Sequence, residues 1–269
     1  MRFYEFGGWD APVLLLLPGT CCHWKANFGE VIPLLKESFR VVCVSYDGFD
    51  EQEETVFPDM LAEAEKIEAY IEKGFGGHIL GAYGCSLGGS LVGLLIQRGK
   101  VHIDHGILGS SDLDQAGRIP AYIQAALVSR MLYGMMQTGR LPRFMQRRLA
   151  KKSGGEREYL NKMLALFGCA GTGMAFVGRK SIFNQFYSDL VTPLEDGIEA
   201  PGTTVHCFYA EKMGEKYLAR YQRHFKRPDI VRFSMQHEEL LVCDPERWAS
   251  EVRRCCGLCD IRKERVKSE

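Results

Sequence analysis

The sequence predicts an α/β protein, with a mostly parallel central sheet covered by helices and a helical segment inserted before the last two strands. Three observations point there. Short apolar runs rich in β-branched residues recur along the chain, and helix-length segments separate them. One of these runs leads through a glycine-flanked serine directly into an apolar helix. Strands that alternate with helices need crossover connections, and those connections leave the strands parallel with helices on both faces.

The runs at 13–17, 40–46, 78–83, 103–108, 203–209 and 230–233 are each of strand length. Residues 2–6 add a short strand suited to an antiparallel edge. Residues 57–73 read as a helix, with Leu61, Ala64, Ile67 and Ile71 at helical spacing and Gly74 beyond the last turn. The alternation stops between Leu113 and Gly202, where the segments are nearly all helix-like. Turns are expected there at Pro120, Gly139-Arg140-Leu141-Pro142, Ser153-Gly154-Gly155 and residues 168–173. The chain therefore divides into a core domain, residues 1–112 and 201–269, and a helical lid, residues 113–200, over the carboxyl edge of the sheet. Six of the ten methionines lie in the lid, at Met131, Met135, Met136, Met145, Met163 and Met174. Methionine adapts its shape to an apolar cavity, so Met131 and Met135 join Cys21 as candidate substrate-binding residues.

Composition sets outer bounds. The 269 residues carry 34 basic and 34 acidic side chains, 46% hydrophobic residues and 25% charged ones, as expected of a globular chain. Zero net charge argues against a surface built wholly for nucleic acid. The start, Met1-Arg2-Phe3-Tyr4-Glu5-Phe6, has an early acid and no long apolar run, which points to a cytoplasmic chain rather than a secreted one. The ten cysteines then read as thiols. Cys256-x-x-Cys259 lacks a second ligand pair, and Cys21-Cys22-His23 are adjacent loop residues that do not converge on one ion. No metal and no cofactor are expected.

The chemistry-bearing signal is Gly84-Cys85-Ser86-Leu87-Gly88, placed after the strand at 78–83 and before the apolar helix 91–97. That is the context of a nucleophile elbow, in which a sharp turn holds the serine in strained backbone geometry and small residues flank it. Cys85, one residue before the apex, is expected to point into the core. A nucleophilic serine needs a base, and the order for this arrangement puts the histidine after the final strand. His237 satisfies this, following the strand at 230–233 and preceding a helix opened by Asp244-Pro245-Glu246. An oxyanion hole requires backbone N–H groups directed at the developing charge. Leu87 supplies one at a helix start, and Thr20, with Cys21 as alternative, supplies the other from Pro18-Gly19-Thr20-Cys21. Asp47 and Asp50, after an earlier strand, read either as facing a cleft or as solvated loop acids, and residues 51–54 as a solvated acidic turn.

With these residues in view, the chain resembles the α/β-hydrolase superfamily. The matching features are Pro18-Gly19 where members often carry His-Gly, Tyr46-Asp47-Gly48-Phe49, the Gly84-to-Gly88 elbow, and His237 followed by Leu240. The resemblance spans nearly the whole chain, with the helical insertion in the lid position. It implies the α/β-hydrolase fold and a serine hydrolase acting through a Ser-His-acid triad and an acyl-enzyme. The expected substrate is an ester, thioester or amide with a small, partly apolar acyl group.

The departure from the resemblance lies in the acid. Members usually carry aspartate shortly after the penultimate strand, where this chain has Met213. Glu215, beyond flexible Gly214, is the first candidate, with Asp112, Asp114 and Glu211 as alternatives. Two other readings use the same residues: an acyltransferase built on the same Ser-His pair, and a non-catalytic ligand-binding protein whose acid has drifted. The net charge also conceals an asymmetry. Between Arg118 and Leu190 there are twelve basic residues and three acids, so the lid carries +9 and the rest of the chain −9. Such a lid suits an anionic small-molecule substrate or an anionic membrane surface. Nothing in the sequence sets the oligomeric state.

Overall fold

A computed structural model describes residues 1–167 and 173–258. Within it, seven strands form one sheet in the order β1-β3-β2-β4-β5-β6-β7. The strands are β1 (Arg2–Phe6), β2 (Val13–Leu17), β3 (Arg40–Ser45), β4 (His78–Cys85), β5 (His102–Gly109), β6 (Thr204–Ala210) and β7 (Asp229–Phe233). β1 pairs antiparallel with β3 and every other pairing is parallel. The central strands β2 and β4 read as unbroken apolar runs because both of their faces are covered, as parallel sheets require.

The short helices α1 (Trp24–Phe28) and α2 (Ile32–Leu35) connect β2 to β3, and α3 (Met60–Phe75) leads into β4. α4 (Leu87–Arg98) follows β4, while α9 (Glu215–His224) lies between β6 and β7. After β7 come α10 (Glu239–Cys243) and α11 (Pro245–Cys255). Between β5 and β6 the described elements are helical: α5 (Arg118–Thr138), α6 (Arg143–Ala150), α7 (Gly154–Leu166), a 3-10 turn at Met174–Phe176, and α8 (Arg179–Val191). Two apolar layers sandwich the sheet. One gathers α3 and α4 side chains, such as Ile67 and Leu91, with Leu108; the other gathers Phe28, Tyr83, Leu241 and Trp248.

Several sequence expectations shift by a residue or two for identifiable reasons. α3 starts after Pro58, where Asp59 accepts the Ala62 N–H at 2.9 Å. It ends at Gly76, whose φ of +61° makes it the left-handed cap, so Gly74 lies inside the helix. The buried stripe is Met60, Ala64, Ile67 and Ile71, while Leu61 faces outward. α10 inserts one short helical turn that the sequence reading passed over. Asp47 and Asp50 are buried rather than solvated. Asp50 accepts the Tyr4 hydroxyl at 2.8 Å, and Asp47 is ion-paired with Lys66. Cys259 and residues 168–172 lie outside the described residues; Cys256 is buried.

Glu63, on the inward face of α3, is fully buried beside Asp47 and 3.2 Å from Lys66 Nζ. Burial, with the Asp47 carboxylate adding to it, pushes its carboxyl up to about 7. A raised acid takes up a proton on folding, so its cost is absent below about 4.5, grows with pH, and is complete above about 7. Glu63→Gln should therefore stabilise the protein at pH 8 by roughly 2–3 kcal/mol. The difference should shrink towards pH 4.5, as read by urea unfolding across that range.

Candidate active site

Ser86 sits between β4 and α4 with φ +50° and ψ −113°, a conformation a non-glycine residue adopts only under constraint. The constraint is close packing. A Cβ on Gly84 would come within 2.0 Å of the Gly88 backbone, and one on Gly88 within 2.2 Å of the Leu17 carbonyl oxygen. Small residues at those two positions let strand and helix meet tightly enough to force the turn. Ser111 braces it further, its hydroxyl donating to the Ser86 carbonyl at 2.7 Å.

Among the described residues five non-glycine residues have positive φ: Cys21, Ser86, Ser110, Leu113 and Glu238. They follow β2, β4, β5 and β7, all at the carboxyl edge of the parallel strands, where open α/β sheets bind ligands. Backbone strain concentrated in this way marks a functional site.

The loop after β2 is fixed on both sides. The Gly19 N–H donates to Asn27 Oδ1 at 2.8 Å, and the Cys21 N–H donates to Gln185 Oε1 of α8 at 2.7 Å. The Cys21 amide is thereby engaged by the insertion. The Gln185 amide orientation follows from the Cys21 bond, because the opposite orientation would set two donors face to face. Its Nε2 is consequently buried without a hydrogen-bond partner. Ser181, Gln185 and Asp189 form an inward polar stripe on α8. Ser181 Oγ accepts the Phe57 N–H at 3.3 Å, and Asp189 is hydrogen-bonded to Ser90 of α4.

His237 lies on the loop between β7 and α10, and its carbonyl accepts the Tyr159 hydroxyl of α7 at 2.9 Å. The next residue, Glu238, is a part of the site that the sequence reading did not find. Its buried carboxylate accepts the Ser86 N–H at 2.8 Å and the Tyr83 hydroxyl at 2.9 Å, which ties the histidine loop to the serine backbone. Burial raises its carboxyl, against the pull of His237 and these hydrogen bonds. The sequence signal was faint, since an acid just before a helix start normally serves that helix. Glu239, the first residue of α10, instead accepts the Gln236 N–H of the preceding loop at 2.6 Å.

The four candidate acids occupy different surroundings. Glu215 is exposed at the start of α9. Glu211 accepts the Ser234 hydroxyl at 2.6 Å and lies 3.6 Å from Arg232. Asp114 is ion-paired with Arg220. Asp112 is half-buried between the strained Ser110 and Leu113, and its carbonyl oxygen accepts from Arg220 at 2.6 Å. Burial first, and then the Asp114 carboxylate, raise the Asp112 carboxyl, while His237 and Arg220 oppose the rise. Cys85 is buried under Asn27 and faces the core. Met135 is buried within the helical insertion, whereas Met131 is exposed on α5.

Two groups of metal-ligating type also come together among the described residues: His78, His102 and Asp104, and His206, Asp229 and Cys255. Neither includes a residue of the Ser86 cluster.

Truncating Glu238 leaves the buried Tyr83 hydroxyl without its acceptor and the Ser86 amide with only the Gly109 carbonyl at 3.2 Å. Glu238→Ala should destabilise the protein by roughly 2–4 kcal/mol in denaturant unfolding. Glu238→Gln, which keeps an acceptor in place, should cost less than half of that.

No family model and no curated protein matches the sequence. Solved structures match in shape. An α/β-hydrolase family protein from Desulfitobacterium hafniense superposes with a TM-score of 0.75 at 17% identity, over 94% of this chain and 99% of that one. MenH from S. aureus gives 0.69 at 12% identity, over 95% and 97%. The esterase RhEst1 from Rhodococcus sp. ECU1013 gives 0.64 at 15% identity, over 95% and 94%. The strand order, the strained serine between β4 and α4 and these superpositions together establish that the chain has the α/β-hydrolase fold.

Proposed function

We propose that the protein is a serine hydrolase that cleaves a carboxylic ester or thioester through an acyl-enzyme. The observation that carries this reading is the strained Ser86 between β4 and α4, with the loop that bears His237 tied to its backbone through Glu238. In this scheme Ser86 Oγ attacks the substrate carbonyl while His237 takes its proton. The N–H groups of Leu87, at the start of α4, and Thr20 receive the charge that develops on the carbonyl oxygen. His237 returns the proton to the leaving group, and water, deprotonated by the same imidazole, attacks the acyl-enzyme to release the acid and restore Ser86.

Asp112 is the carboxylate that orients His237. What supports it is its place on the half-buried loop after β5, between the positive-φ residues Ser110 and Leu113, whereas Asp114 is paired with Arg220, Glu211 bonds Ser234 and Glu215 is exposed. Glu238 holds the backbone of the nucleophile from below and acts as a positioning residue. Gln185 Nε2, buried and without a protein partner, is available to a polar atom of the acyl group. The helical insertion then serves as a lid: α7 grips the His237 loop and α8 grips the Cys21 loop, so substrate is enclosed between insertion and sheet. Among the described residues no helix is long and apolar enough to cross a membrane.

A fluorophosphonate probe tests the nucleophile: wild type should be labelled and Ser86→Ala should not, whereas unlabelled folded wild type would refute the hydrolase reading. Asp112→Asn should lower kcat on an aryl ester by roughly 10³–10⁴-fold, the scale seen when a triad acid is neutralised. Glu215→Gln should leave kcat within about threefold of wild type, a change small beside that loss. The reverse ranking would move the acid to Glu215.

A further inference from the structure

We propose that the outer face of α5 docks on an anionic lipid bilayer. α5 is apolar on both sides. Its inner face, including Ala121, Ala125, Leu132 and Met135, is buried. Its outer face carries Ile119, Ile123, Leu127 and Met131 at successive i, i+4 positions, a stripe about 18 Å long at 1.5 Å per residue. Ile119 is 76% exposed, Ile123 55% and Leu127 67%, with Tyr122 exposed beside them. Isolated exposed apolar residues are ordinary, but a continuous row on one helix face requires a partner.

Charge identifies the partner. From residue 118 to residue 155 the chain has eight basic residues and no acid, on a protein whose net charge is zero. Arg118 and Arg130 flank or interrupt the stripe itself, and Arg140, Arg143 and Arg147 follow within and around α6, near exposed Phe144. An amphipathic helix with Arg and Lys at the edges of its apolar face lies in the plane of an anionic membrane. Its apolar side chains enter the headgroup boundary while the cations remain at the phosphates. A second copy of this chain on the same face would oppose one acid-free basic segment with another, which like charges disfavour. An acidic soluble protein would satisfy the arginines but would need an apolar groove matched to the stripe, whereas a fluid bilayer needs none.

Flotation of the full chain with vesicles tests the proposal. The wild type should rise with phosphatidylcholine vesicles containing phosphatidylglycerol at low salt, less at high salt, and not with phosphatidylcholine alone. The double substitution Ile123→Gln, Leu127→Gln should weaken binding by roughly tenfold or more, and Arg130→Glu by about fivefold or more, both with unchanged thermal unfolding. Wild type that fails to float with either vesicle overturns the proposal. So does a double variant that floats as well as wild type, since the apolar stripe is then idle. A wild-type dimer that the double variant dissociates overturns it too, by assigning the stripe to a second copy.

Discussion

The strained turn at Ser86 is the constraint on which the rest of the site depends. It exists because β4 and α4 meet at a distance that Gly84 and Gly88 alone make possible, and because the sheet holds the Leu17 carbonyl against the same turn. Strain of this type costs about 1–3 kcal/mol per residue. Five such residues together rival the net stability of an ordinary domain, roughly 5–15 kcal/mol. The apolar layers on both faces of the sheet must offset that cost. The rigidity of the core and the reactivity proposed for its edge are therefore one arrangement seen from two sides.

The helical insertion meets the core through polar atoms as well as through apolar residues such as Val177 and Ile182. α8 turns Ser181, Gln185 and Asp189 inward, and each bonds a segment bordering the site: Phe57, Cys21 and Ser90 respectively. Hydrogen bonds of this kind fix a register that apolar packing alone would leave loose, because a shift along the helix would strand several buried polar groups at once. Burial also raises Asp189 strongly, with Asp112 and Asp114 adding their charge. Asp112, Asp114 and Asp189 are thus close enough for the charge of one to bear on another.

What the sequence disclosed and what it concealed divide along physical lines. Strand positions, the elbow and the loop placement of His237 were legible because periodicity, glycine spacing and chain order all reflect local constraints. The stripe on α8 was not, since polar residues at i, i+4 and i+8 normally mark a face turned to water. Glu238 and Glu63 were hidden for a related reason: a glutamate beside or inside a helix is assigned to solvent by composition, and only the tertiary structure shows it buried. The different surroundings of Asp112, Asp114, Glu211 and Glu215 were hidden as well. The loop that carries Asp112 bends at the positive-φ residues Ser110 and Leu113, neither of them a glycine that would announce a turn.

The hydrogen bond from the Ser86 amide to Glu238 joins residues 152 positions apart. During synthesis the elbow and most of the sheet emerge well before β7 and the loop that follows it. Until that loop arrives, the serine turn lacks both its carboxylate support and the histidine proposed as its base. On the proposed mechanism, a half-made chain thus presents no armed nucleophile to its surroundings, and chemical competence comes late in the making of the polypeptide.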